Sequence, residues 1–77
     1  MNRFYKSYHH GLGEVITNGD VYLCGFDRYH YSGRPEVRFT ETLEDAGFFC
    51  TLSLKVLLRY LNMRFKEGIP EDLIDRT

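Results

Sequence analysis

Residues 9–27, HHGLGEVITNGDVYLCGFD, carry the clearest turn signal in the chain between two runs that both read as strand. Asn18-Gly19 is the dipeptide favoured in a two-residue type I′ hairpin loop, because both central residues there need positive φ. Such a loop would set Thr17 opposite Asp20, Ile16 opposite Val21, Val15 opposite Tyr22 and Glu14 opposite Leu23, since loop length dictates register. Apolar groups then fall on both faces of the pair. That predicts a strand covered on both sides near its middle, as in a small closed barrel or a sheet with a helix packed across it.

Toward the N-terminus, residues 3–8 alternate, with Phe4, Lys6 and Tyr8 on one face and Tyr5 and Ser7 on the other, which reads as a first strand. Gly11-Leu12-Gly13 breaks it with a tight reversal or bulge before residues 14–17 resume as strand. Beyond the hairpin, a third strand runs from Val21 past Asp27 to about Tyr31, and Gly25 marks a bend or bulge within it. Ser32-Gly33-Arg34-Pro35 turns the chain, and residues 36–40 alternate with Val37 and Phe39 to one side. A two-residue Ser32-Gly33 turn would place Phe26 opposite Phe39 and Asp27 opposite Arg38.

In the second half, Thr42 followed three residues later by Asp45 approximates a capping box for a short helical turn that Gly47 ends. Residues 48–52 read as a last strand or as the start of a longer helix, the strand being preferred with Ser53 as helix N-cap. Leu54, Leu58, Leu61 and Phe65, with Leu57 beside them, form one apolar stripe of an amphipathic helix. Gly68 stops that helix, and Pro70 suits the first turn of a small terminal helix over residues 71–75. Lys55, Arg59, Asn62 and Lys66 cluster on a second, basic side. Val56, Tyr60 and Met63 make a further apolar patch, to be covered by the segment around Ile69, Leu73 and Ile74 or by a partner.

At 77 residues the chain is one domain, too small for a large enclosed active site. Its two cysteines, Cys24 and Cys50, allow at most one bridge, and the N-terminal MNRFYKSYHH has no apolar targeting core, so a reduced, cytoplasmic setting is expected. No apolar run approaches the roughly 18–20 residues of a membrane span. A net charge of −1 argues against a protein that coats DNA through a general excess of cations. The charge is nonetheless uneven: Lys55, Arg59, Arg64 and Lys66 lie in a stretch without a single acid, flanked by Glu44 and Asp45 before and Glu67, Glu71 and Asp72 after.

The residues hold no catalytic constellation. His9, His10, His30, Cys24 and Cys50 lack the close spacings that present two ligands to zinc, so no metal or cofactor is expected. Both cysteines sit in apolar runs, where burial raises a thiol pKa and blunts its nucleophilicity. Gly11-x-Gly13 lacks the third glycine and following helix of a dinucleotide site. Arg28-Tyr29-His30-Tyr31 with Arg34 mixes cations and aromatics, which could stack bases or simply be a two-sided strand.

Tyr8-His9-His10-Gly11-Leu12-Gly13-Glu14-Val15-Ile16, followed by Val21-Tyr22-Leu23-Cys24-Gly25-Phe26, resembles the H-x-G-x-G-x-V and Y-L-V-x-F pattern of Tudor-like, SH3-like small barrels. Such barrels occur in CarD-type transcription regulators, transcription-repair coupling factors and the tails of UvrD-type helicases. The likeness spans about residues 5–40. It implies a non-enzymatic barrel that docks on RNA polymerase through a strand edge and its loops, here near Tyr29, Tyr31, Val37 and Arg38. The short Asn18-Gly19 loop and the long helix depart from the family's pattern.

The expectation is therefore a single α+β domain over residues 1–77: a small antiparallel sheet or SH3-like barrel of four to five strands within residues 3–52, one amphipathic helix at about 53–67 and a terminal turn at 70–75. Its expected function is that of a non-enzymatic protein-interaction module, an accessory regulator or phage-type inhibitor of the transcription or repair machinery. RNA polymerase is the first candidate partner and direct nucleic-acid binding the alternative. The expected contact residues are Arg28, Tyr29, Tyr31, Arg34 and Arg38 on the strand side, and Lys55, Arg59, Tyr60 and Met63 on the helix.

Overall fold

The computed structural model describes residues 3–27, 35–47 and 53–75. Strands β1 (Tyr5–His9), β2 (Gly13–Thr17), β3 (Tyr22–Asp27) and β4 (Glu36–Thr40) are followed by the helix α1 (Leu54–Arg64) and the short strand β5 (Ile74–Asp75). The sheet order is β1-β2-β3-β4-β5. Neighbours are antiparallel except β4 and β5, which run parallel through Phe39↔Ile74 and Thr40↔Asp75. This is an α+β domain whose sheet is open, because no pairing returns β5 to β1 among the described residues. The closed-barrel form of the expectation is not met, and the sheet-plus-helix form is.

The alternation of β4 does what its sequence requires: Val37 and Phe39 are fully buried, while Glu36 is exposed and Arg38 half-buried. Helix α1 lays Leu57 and Leu61 onto the same face and its C-cap residue Phe65 joins them, where they meet Phe4, Ile16, Val21 and Leu23. Three rings close the centre. Phe4 stacks on Phe39 at 5.4 Å between centroids, and Phe65 meets Phe39 edge-on at 5.4 Å and Phe4 at 6.4 Å. Val15 and Ile16, adjacent in β2, are both buried, so the middle of this strand is covered on both faces as expected.

The β2–β3 connection differs from the I′ loop. Among the described residues no non-glycine residue has positive φ, so Asn18 is not left-handed and in this turn Gly19, at φ +97°, is. Asn18 works through its side chain: Oδ1 accepts from the N–H of Asp20 at 2.9 Å and of Val21 at 3.0 Å. Thr17 Oγ1 accepts from Gly19 N–H at 3.0 Å and donates to the Val21 carbonyl at 2.7 Å. These bonds satisfy the turn without the cost, about 1–2 kcal/mol, of a left-handed non-glycine residue. Thr17 consequently pairs with Tyr22 and not with Asp20.

The β3–β4 register also differs: Phe26 faces Val37 and Asp27 faces Glu36, in place of Phe39 and Arg38. Both departures are slips of two residues, which keep each side chain on its face. The expected irregularity at Gly25 is present as a register shift between Leu23 and Gly25. Within the described residues β3 ends at Asp27, and the preferred last strand at 48–52 lies outside them.

Ser53 caps α1, its hydroxyl accepting from Val56 N–H at 3.3 Å. The helix ends at Arg64, earlier than expected, and Gly68 turns the chain away at φ +124°. The 42–45 segment forms a 3₁₀ turn, Leu43–Asp45, but Thr42 makes no side-chain cap bond. The terminal helix over 71–75 is not formed: Glu71–Leu73 is a single 3₁₀ turn, after which Ile74 and Asp75 extend to pair with β4.

Candidate functional site

Lys55 and Arg59 are one turn apart on the solvent side of α1, and both are exposed. Lys66, exposed in the turn after the helix, continues the same side. A fourth cation reaches them from the other end of the chain. The side-chain amide of Asn62 clamps the backbone of Phe4, its Oδ1 accepting from the Phe4 N–H at 2.7 Å and its Nδ2 donating to the Phe4 carbonyl at 3.2 Å. The preceding residue, Arg3, is thereby brought against the helix.

Arg3, Lys55, Arg59 and Lys66, with Asn62, Met63 and Phe65, line a groove of about 490 Å³. Among the described residues no acidic side chain lines it. Four positive charges around one concavity reinforce one another's potential and favour an anionic occupant. Met63 is 69 % exposed at this groove, and Val56 is 49 % exposed on the same helix. The segment around Ile69, Leu73 and Ile74 packs on the main core, leaving these two side chains uncovered by it.

Tyr60, expected beside Met63 in a single patch, is turned inward. Its ring meets Phe26 edge-on at 6.1 Å, and its hydroxyl accepts from Arg64 at 2.8 Å. Arg64 also donates to the Pro35 carbonyl at 2.9 Å and lies over the Phe65 ring at 5.0 Å, so this cation serves the fold. Of the helix residues singled out from sequence, Lys55, Arg59 and Met63 share the groove.

The strand-side residues are placed differently. Arg28, Tyr29, Tyr31 and Arg34 lie outside the described residues. Arg38 binds its own C-terminal segment, donating to the Asp72 carbonyl at 2.9 Å and pairing with the Asp75 carboxylate. Val37 is fully buried, and β5 pairs with β4 at Phe39 and Thr40. The edge expected there for β-augmentation is thus partly occupied by the chain itself.

Arg3 reaches the groove through a contact that a reading along the sequence cannot give, that of Phe4 with Asn62, 58 positions apart. The sequence signal was Asn62 itself, a poor helix former in mid-helix on a basic face. Elsewhere, Cys24 is half-buried with Sγ 3.9 Å from Asp75 Oδ2; burial first, and then the Asp75 charge, push its thiol pKa up. Among the described residues no group of three or more His, Cys, Asp or Glu is gathered that could hold a metal ion, and no helix is long and apolar enough to cross a membrane. No known protein family, curated protein or solved structure matches the chain.

Proposed function

We propose that this chain is a non-enzymatic protein-interaction module, a small cytoplasmic regulator or inhibitor that docks on a component of the transcription or repair machinery. RNA polymerase is the first candidate. The observation that carries the reading is the outer side of α1, where Met63 stands 69 % exposed amid Arg3, Lys55, Arg59 and Lys66, a cationic rim around an apolar contact. The choice of machinery rests on the likeness of the sequence over residues 5–40, the stretch that holds β1 to β4 here, to that of Tudor-like barrels.

Nucleic-acid binding is the reading that the same cations would otherwise support. What favours a protein is the lining: among the described residues its one aromatic, Phe65, is buried in the core and offers no free face for base stacking. The overall charge of −1 points the same way. Biolayer interferometry of the immobilised chain against RNA polymerase purified from its native host tests the proposal. Saturable binding that Arg59→Glu with Met63→Ala abolishes is the expected result. No binding by the wild-type chain removes RNA polymerase as the partner.

A further inference from the structure

Resting on that reading, we infer that the groove between Arg3 and α1 receives an extended acidic segment of the partner, with carboxylates on alternate residues and an apolar side chain seated on Met63. Charge complementarity sets the sign of the occupant: among the described residues four cations line the groove and no acid does. The spacing sets its form. Lys55 and Arg59 are four residues apart on the helix, a rise of about 6 Å. Alternate side chains of an extended chain repeat at about 6.7 Å, so successive carboxylates on one face match successive cations on the helix.

From Lys55 to Met63 the helix climbs about 12 Å, the reach of about four extended residues. A short acidic stretch therefore spans the cations and meets the Met63 thioether, whose unbranched and polarizable side chain adapts to varied apolar partners. Arg3, placed by the Asn62 clamp on Phe4, is the described lining residue that comes from outside α1 and the turn after it.

Fluorescence anisotropy with a fluorescein-labelled peptide that carries Glu at two alternate positions and Leu at the next, separated by Ser, tests the inference. Two probes serve as comparisons: the same peptide with Lys in place of Glu, and an oligothymidylate of the same net charge as the acidic peptide. The acidic peptide is expected to bind saturably, to weaken by about tenfold with either Lys55→Glu or Arg59→Glu, and to weaken with rising salt. Met63→Ala is expected to weaken it without changing the salt dependence, and Lys6→Glu on β1 to leave it unchanged. Equal binding of the basic peptide, tighter binding of the oligothymidylate, or indifference to Lys55→Glu and Arg59→Glu would each overturn the inference.

The two readings fail separately. RNA polymerase binding that survives Arg59→Glu, with no acidic-peptide binding, sinks the groove inference and leaves the interaction module standing. Peptide binding with the expected variant pattern, but no polymerase binding, supports the groove and sinks the choice of partner.

Discussion

Asn62 holds Phe4 by both ends of its side-chain amide, accepting from the Phe4 N–H at 2.7 Å and donating to its carbonyl at 3.2 Å. The bond pair does two things. It supplies the backbone partners that the start of the chain lacks before β1, and it brings Arg3 to the basic side of α1. Asn62→Ala removes both bonds from a part-buried site and is expected to cost about 1–2 kcal/mol in urea unfolding. Hydrogen exchange checks the local effect: the Phe4 amide should lose protection in the variant more than the amides of β3 do.

The turn at Asn18 makes a prediction opposite to that of a I′ loop. In a I′ loop Asn18→Gly would be harmless or helpful, because glycine adopts positive φ freely. Here Asn18 is buried, has ordinary φ, and accepts from two backbone N–H groups. Asn18→Gly and Asn18→Ala should both destabilise by about 1–2 kcal/mol, and Asn18→Asp, which keeps the acceptor oxygens, by less. Chemical denaturation of the three variants decides between the two turns.

Arg38 ties β5 to the sheet through the Asp72 carbonyl and the Asp75 carboxylate. Its ion pair is open to solvent, so Arg38→Ala should leave the global urea-unfolding midpoint nearly unchanged. The local change is expected to be larger. Amides of the β4–β5 pairing should exchange faster while those of β1 and β2 keep their rates.

Cys24 predicts a pH dependence. Burial, and then the charge of Asp75, raise its thiol pKa above that of the unfolded chain. The stability this group contributes is therefore complete below the unfolded value, about 8.5, and is lost as pH rises through the higher folded value. Carbamidomethylation of the Cys24 peptide, followed by mass spectrometry, should rise with a midpoint above that of free cysteine, and Asp75→Asn should move it down. A midpoint at or below the free value contradicts this assignment.

Much of the fold is legible along the chain wherever one local pattern is enough. The alternation of Val37 and Phe39 specifies β4, the leucine stripe specifies the buried side of α1, Ser53 specifies its start and Gly25 the irregularity in β3. What escapes is set by competition or by distance. Asn18-Gly19 permits a I′ loop, but the Asn18 and Thr17 side chains offer the backbone better partners, and the register moves by two residues. Strand β5 is two residues long, too short for any periodicity, and its pairing is supported by Arg38, more than thirty positions earlier. The candidate site divides in the same way. Lys55, Arg59 and Met63 follow from helical spacing, whereas Arg3 joins them only through Asn62, and Tyr60 leaves because Phe26 and Arg64 hold it.

The central claim is that the basic side of α1 is the working surface of this chain. Chemical-shift mapping of the ¹⁵N-labelled protein, titrated with the acidic peptide that carries Glu at two alternate positions and Leu at the next, tests it residue by residue. Shifts concentrated at Arg3, Lys55, Arg59, Asn62, Met63 and Lys66, absent in the Arg59→Glu variant, are the predicted result. Shifts centred on β1 or on the C-terminal turn around Asp72 and Asp75, with the α1 amides unmoved, would contradict it.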